Sequence, residues 1–180
     1  DSVKELNLIG HFTFLIDRSF RVPLPLVKRL LSEISTPNTI RRTSSFLNDS
    51  YVPLFRFKNT INVDDEVLVI SNLKKIIDNK VNIVESLDVL RQYDAGLLSH
   101  NSTAPSSKFI RSTNGVVSSI DSVPNTNAAS LDVYYWKNGG DFISMLDSNY
   151  TTTVAHENTF SALVNRFIST NKSVGVKLVS

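Results

Sequence analysis

The sequence predicts a single α+β domain over residues 1–180, in which an antiparallel sheet carries two or three helices packed on it. Several short segments alternate apolar and polar residues, as strands with one buried face do, and three others repeat apolar residues at helical spacing. These segments do not follow the regular strand–helix–strand rhythm of a parallel sheet, which favours antiparallel pairing. A chain of 180 residues is long enough to bury one core of its own.

The N-terminal third predicts a strand, a helix and a loop in that order. The segment "LNLIGHFTFLID" alternates as a half-buried strand does. Pro23 and Pro25 then stop the strand and suit the first turn of a helix, which is expected to run from about residue 24 to before Pro37. Residues 35–50 are rich in Ser, Thr, Asn and Pro and are predicted to form an exposed loop, and "YVPLFRF" after them has the composition of a strand.

The middle of the chain predicts a strand and two helices. "NVDDEVLVISNLKKIIDN" fits a strand followed by a short helix. Asn82 and Glu85 form the pattern of a capping box, so a second helix is expected from there, with Gly96 as its C-terminal stop. The following "GLLSHNSTAPSS" is predicted to be a long loop, in which Leu97 and Leu98 either pack back on the core or form an exposed apolar tip for a membrane or a partner.

The C-terminal third predicts two hairpins, a helix and a closing strand. Asn114-Gly115 is a strong signal for a tight turn between two strands. "KNGG", between "LDVYYW" and "DFISML", indicates a second hairpin. "HENTFSALVNRFIS" follows helical spacing, and "VGVKLVS" is predicted to be the last strand.

The charge of the chain is unevenly distributed. The formal net charge is +2, yet residues 18–58 alone carry a balance of +6, and residues 59–180 carry −2. Such a basic region favours phosphate-bearing polymers or anionic lipid as partners, although scattered solvated side chains would show the same composition. The eight cations concerned are Arg18, Arg21, Lys28, Arg29, Arg41, Arg42, Arg56 and Lys58.

The sequence shows no pattern of a catalytic or cofactor site. It has no cysteine, and its three histidines, His11, His100 and His156, lack the spacing of a metal pair. "SNLK" from Ser71 matches a serine-nucleophile pattern without the companion motifs, and no phosphate-binding glycine loop is present. No segment predicts a signal peptide or a membrane span. We therefore expect no catalytic residue, no cofactor and no metal.

Two stretches of the chain resemble the matrix proteins of rhabdoviruses. "HFTFLIDRSFRVPLPLVKRLLSEIS" resembles the opening of the vesiculovirus matrix core domain, and "FSALVNRFISTNKSVGVKLVS" resembles the closing helix and strand of that family. The resemblance implies a divergent member, such as one from a plant cytorhabdovirus, whose flexible N-terminal tail is missing. It implies a virion protein that is not an enzyme and has no small-molecule substrate.

Further expectations follow from this resemblance. The protein would self-associate and bridge the viral ribonucleoprotein and an anionic membrane during assembly and budding, between nucleocapsid and envelope or at the inner face of the host membrane. The eight cations would contact nucleocapsid or lipid, while Leu97 and Leu98 would lie in a segment for self-association or membrane contact.

Two other classes of function stay open. A viral coat or other nucleic-acid-binding protein would use the same cations without a membrane. A small hydrolase would need a histidine to meet an acid in space, for example His100 with Asp94 or His156 with Glu157.

Overall fold

The computed structural model describes residues 12–17, 25, 38–43, 54–55, 57–104, 108–150 and 160–179. The strands in this part of the chain are β1 (Phe12–Asp17), β2 (Asn38–Thr43), β3 (Val67–Ile70), β4 (Ala95–Asn101), β5 (Phe109–Thr113), β6 (Val116–Asp121), β7 (Ala128–Trp136) and β8 (Val174–Val179). The helices are α1 (Leu73–Asp78), α2 (Ile83–Leu90), α3 (Gly139–Tyr150) and α4 (Phe160–Ile168), preceded by a 3-10 turn at Lys58–Thr60.

The main sheet is mixed and closes on itself. Its six strands run in the order β3-β7-β4-β8-β6-β5, and β5 also pairs with β7 through Phe109 and Ala129, which closes the barrel. The α+β class is confirmed, but the prediction of a purely antiparallel sheet is wrong because β4 and β8 are parallel. In its described residues, the long connection between these two strands contains three other strands and two helices, which allows the chain to return and enter the sheet in the same direction.

Helices cover both faces of this sheet. Helices α1 and α2 bury one apolar cluster, which includes Ile76, Leu87 and Leu98, and α3 and α4 bury the other, which includes Leu97 and Phe142. Strands β4 and β7 contribute side chains to both clusters. They are therefore the central layer on which both helix pairs depend.

An aromatic group lies at the centre of the α3/α4 cluster. The indole of Trp136 is 1% exposed, and its ring centroid lies 4.7 Å from that of Phe142 and 5.7 Å from that of Phe160. Phe167 of α4 and Tyr134 of β7 complete the group. These edge-to-face and tilted contacts join β7 to both helices.

Several predicted elements are confirmed. The strand and short helix expected after residue 62 are β3 and α1, and the helix expected after Asn82 is α2, where the Asn82 Oδ1 accepts the Glu85 N–H at 2.9 Å. Asn114 and Gly115 have φ values of 52° and 79°, the left-handed conformations that the tight turn between β5 and β6 requires. Helix α4 and strand β8 also lie where the sequence predicts them.

Other local predictions are wrong. "DFISML" belongs to helix α3 rather than to a hairpin, because the Asn138 Oδ1 accepts the Asp141 N–H at 3.1 Å and so caps the helix. A side chain at Gly139 would meet the Asn62 carbonyl oxygen at 2.1 Å, which explains a glycine there. Gly96 lies inside β4 rather than at the end of a helix.

The N-terminal predictions have mixed outcomes. A strand is confirmed at β1. The exposed loop predicted for residues 35–50 is wrong where β2 lies, since β2 pairs in parallel with β1 from Phe12–Asn38 onward. Residues 54–55 and 57 are helical and not a strand. The predicted helix of residues 24–36 lies outside the described residues, apart from Pro25, which is helical. No helix in the described part of the chain is long and apolar enough to cross a membrane.

Candidate functional site

The two leucines for which the sequence left open a core position or an exposed apolar tip are core residues. Leu97 and Leu98 lie in β4 and are 0% and 1% exposed. Because they point to opposite faces of the sheet, one joins the α3/α4 cluster and the other joins the α1/α2 cluster. The prediction of a loop for self-association or membrane contact at these positions is wrong.

One of the eight predicted anion-contact cations has a described side chain. The Lys58 ammonium is paired with the Asp147 carboxylate, and it lies 4.3 Å from the centroid of the Phe55 ring. Lys58 therefore has a partner within the protein and holds the turn at residues 58–60 against α3. Only the backbone of Arg41 and Arg42 is described, in β2, and the remaining five cations, Arg18, Arg21, Lys28, Arg29 and Arg56, lie outside the described residues. The cationic patch stays a prediction.

The carboxyl ends of three strands meet at one edge of the sheet. Strand β7 is antiparallel to both β3 and β4, and β8 is parallel to β4, so β3, β4 and β8 run in the same direction. In parallel α/β sheets, both open and closed, ligands commonly bind at the edge where the carboxyl ends of the strands lie. The polar residues at this edge are therefore the first candidates for a site.

Strand β7 bulges at this edge. Leu97 pairs with Tyr134 and Ser99 pairs with Ser130, so three residues of β7 stand opposite one residue of β4 between those pairs. Asp132, in the middle of the bulge, has a φ of 59°, which is a left-handed conformation. This conformation is costly for residues other than glycine, and among those Asp and Asn tolerate it best. Strained positions of this kind gather at functional sites.

Hydrogen bonds to neighbouring elements hold the Asp132 backbone in this conformation. Its N–H donates to the Ser130 Oγ at 3.0 Å, and its carbonyl accepts the Ser71 N–H at 2.9 Å. Ser71 is the first residue after β3, so the bulge is tied to the strand beside it. The backbone from which the Asp132 carboxylate extends is therefore held in place on both sides.

Lys75 of α1 provides the positive charge of the site. Its Nζ lies 2.6 Å from the Asp132 Oδ2 and donates to the Ser130 carbonyl at 3.1 Å. The side chains of Lys75 and Asp132 are 30% and 26% exposed, so the pair lies at the rim of the sheet within reach of a ligand. Helix α1 orients the lysine through its cap, since the Asn72 Oδ1 accepts the Lys75 N–H at 3.2 Å.

His100 lies close to this pair. It occupies the carboxyl end of β4, opposite Ala129 of β7. Burial, and secondly the charge of Lys75, lower the pKa of His100 below its ordinary value, while the Asp132 carboxylate opposes the shift. The lowered pKa favours the neutral imidazole, which is able to accept a hydrogen bond.

The sequence reasoning found His100 but not its partners. It paired His100 with Asp94, whose carboxylate instead accepts hydrogen bonds from the N–H and Oγ of Ser173, each at 2.8 Å. The charges that His100 senses are those of Lys75 and Asp132. Lys75 directly follows Lys74, the last residue of the "SNLK" pattern. His11 and His156 lie outside the described residues. Within the described ranges, no three histidine or acidic side chains come together as metal ligands would.

The fold is shared with solved enzyme structures. A nucleoside-diphosphate-sugar pyrophosphorylase of Vibrio cholerae superimposes with a TM-score of 0.75 at 13% identity, over 99% of this chain and 76% of that one. A protein of Bacillus anthracis described as a glucose-1-phosphate thymidylyltransferase, solved with a sucrose, gives 0.70 at 14% identity, over 99% and 72% of the two chains. The inositol-1-phosphate CTP transferase of T. maritima gives 0.62 at 8% identity, over 95% and 67%.

The chain shares the fold of these three solved structures. No family model matches it, and no curated protein sequence matches it either. The prediction that the chain is not an enzyme is contradicted, because these solved structures of the same fold are enzymes. The resemblance to rhabdovirus matrix proteins, with the assembly role and the location that it implies, stays a prediction.

Proposed function

We propose that this chain is a nucleotidyltransferase that acts on the phosphate of a sugar or a related polyol. In this reaction an oxygen of the acceptor's phosphate forms a bond to the α-phosphorus of a nucleoside triphosphate. The bond from that phosphorus to the bridging oxygen of the β-phosphate breaks, and pyrophosphate leaves. The observation that supports the proposal is the superposition of 99% of the chain on a nucleoside-diphosphate-sugar pyrophosphorylase with a TM-score of 0.75.

The chemistry of the reaction agrees with a sequence that lacks catalytic motifs. Transfer between phosphates needs little covalent help from the protein and depends on positioning and on stabilising negative charge. The Lys75 ammonium, at the carboxyl edge of the sheet, is a suitable group for a phosphate. The nucleotide brings a divalent cation of its own, since nucleoside triphosphates bind as their Mg²⁺ complexes.

Pyrophosphate release tests the proposal. The full chain is incubated with Mg²⁺, one of ATP, GTP, CTP, UTP or dTTP, and either glucose 1-phosphate or inositol 1-phosphate. We expect at least one pair to release pyrophosphate and to form the nucleotide-linked product, with both substrates required. Lys75→Met is expected to reduce the rate about tenfold or more, whereas Lys74→Met, one residue away on the same helix, is expected to leave it unchanged.

The result that contradicts the proposal is equally specific. If no pair releases pyrophosphate above the rate without protein, and none of the five triphosphates binds at millimolar concentration in a calorimeter, the proposed reaction is wrong.

A further inference from the structure

The ion pair of Lys75 and Asp132 at the carboxyl edge occupies the ammonium group that a bound phosphate would contact. The Lys75 Nζ already has two oxygen partners in the protein, the Asp132 carboxylate at 2.6 Å and the Ser130 carbonyl at 3.1 Å. The carbonyl is fixed in the backbone of β7, since the Ser130 N–H also donates to the Lys108 carbonyl at 2.7 Å. The carboxylate stands on a side chain and is the partner that is able to move.

The exposure of the pair makes an exchange feasible. Both side chains are between a quarter and a third exposed. Water reaches both groups, so the carboxylate is able to turn to solvent when another anion takes its place on the ammonium. A phosphate group carries more charge and more acceptor oxygens than a carboxylate, and a lysine binds it as a point charge.

The surroundings of the pair explain why the carboxylate is needed when no ligand is bound. The Lys75 ammonium donates to the carbonyl of the buried Ser130, and an unpaired ammonium there would be partly desolvated. His100 does not supply the counter-charge, because an imidazole is either neutral or positively charged. Asp132, which the bulge holds beside the lysine, supplies it.

We propose that Lys75 is a phosphate-binding residue and that Asp132 is its built-in competitor, whose carboxylate is displaced from the ammonium when a ligand phosphate binds. This inference rests on the proposed function, which identifies the bound group. That group is either the phosphate of the acceptor or the leaving pyrophosphate. The bulge of β7, which holds Asp132 beside Lys75, would then set the affinity of the protein for that phosphate.

Calorimetric titration with inorganic pyrophosphate tests the exchange. Asp132→Asn removes the competing charge and keeps a residue type that tolerates the left-handed φ of 59°. We expect it to bind pyrophosphate about five to ten times more tightly than the wild type, because the anion that competes for the Lys75 ammonium is removed. Asp132→Gly, which suits the same φ better, is expected to give the same gain.

The chain offers a matched pair of controls on the same helix. Lys74 and Asp78 form an i,i+4 ion pair whose side chains are 81% and 53% exposed. Lys74→Met and Asp78→Asn repeat the two charge changes away from the bulge, and both are expected to bind pyrophosphate as the wild type does. Lys75→Met is expected to lose binding, alone and in combination with Asp132→Asn.

The outcomes separate this inference from the proposed reaction. If the Asp132 variants bind no more tightly than the wild type, or if Lys75→Met behaves as Lys74→Met does, the exchange is wrong even where the wild type releases pyrophosphate from a nucleotide. If the Asp132 variants gain pyrophosphate binding through Lys75 while no substrate pair reacts and none of the five triphosphates binds, the exchange holds and the proposed reaction fails.

Discussion

Asp94 joins the two turns that lead into the parallel strands β4 and β8. Its carboxylate accepts the N–H and the Oγ–H of Ser173, both at 2.8 Å, and its own N–H donates to the Ser173 Oγ at 3.1 Å. The backbone N–H of Ser173, followed by its hydroxyl, lowers the pKa of Asp94 below the ordinary value. The charged form of this side chain therefore stabilises the folded state.

We predict that Asp94→Asn lowers the free energy of unfolding by about 1–2 kcal/mol at pH 7, because the hydrogen bonds lose their ionic acceptor. The stabilisation by Asp94 is fully present above its unfolded pKa of about 3.9 and is lost as the pH falls through the lower folded value. The difference between variant and wild type should thus shrink below pH 4. Urea unfolding followed by Trp136 fluorescence at pH 7 and at pH 3 measures it.

The control for this prediction is Asp64→Asn, at an exposed position before β3. It is expected to change the stability by less than about 0.5 kcal/mol at either pH. An Asp94→Asn variant as stable as the wild type at pH 7 would contradict the role given to Asp94.

At the level of elements, helix α2 is joined to β8 through a tyrosine that covers a glycine. Tyr93 follows α2, where its N–H donates to the Leu90 carbonyl at 3.0 Å. A Cβ built on Gly175 of β8 would lie 2.2 Å from Cδ2 of the Tyr93 ring. Only a residue without a side chain allows the tyrosine to lie flat against this strand.

We predict that Gly175→Ala lowers the free energy of unfolding by about 1–3 kcal/mol, the usual cost of forcing an extra carbon into a packed contact. In a Tyr93→Ala background the same change should cost clearly less, because the ring that it meets is gone. Thermal or urea unfolding of the two single variants and the double variant measures this coupling. Additive effects would show that the contact is not the cause.

Helices and turns were predicted correctly where a local signal sets their ends, and incorrectly where that signal fits two structures. Helix α2 and the turn between β5 and β6 were predictable, since the Asn82 cap and the Asn114-Gly115 turn act over three or four residues. Helix α3 was not, because "KNGG" suits a hairpin turn as well as a helix start. The helix start is the one observed, and there Gly139 lies against the backbone of Asn62, which is distant in sequence.

At the scale of the whole molecule, the two apolar clusters share one sheet. Strands β4 and β7 line both, so neither helix pair is able to leave without exposing residues that support the other. Trp136 is the only tryptophan of the chain, and it lies in the α3/α4 cluster. Its fluorescence therefore reports on one face, whereas circular dichroism reports on helices of both.

We predict that the chain unfolds in a single cooperative transition in urea. The midpoint from Trp136 fluorescence and the midpoint from far-ultraviolet circular dichroism should coincide, as two-state unfolding requires. Loss of the helical signal at a clearly lower urea concentration than the loss of the Trp136 signal would show that the α1/α2 face unfolds independently and would contradict the shared-sheet arrangement.

The sequence by itself determined the α+β class and the elements whose ends are set locally: β3 with α1, α2, the β5–β6 turn, α4 and β8. Only the tertiary structure decided that β4 and β8 are parallel, that Leu97 and Leu98 are core residues, and that Lys75 meets Asp132, 57 residues further along the chain. The physical reason is the range of the interactions. Caps and tight turns are satisfied within a few residues, whereas strand order and the left-handed bulge at Asp132 depend on hydrogen bonds between segments that folding alone brings together.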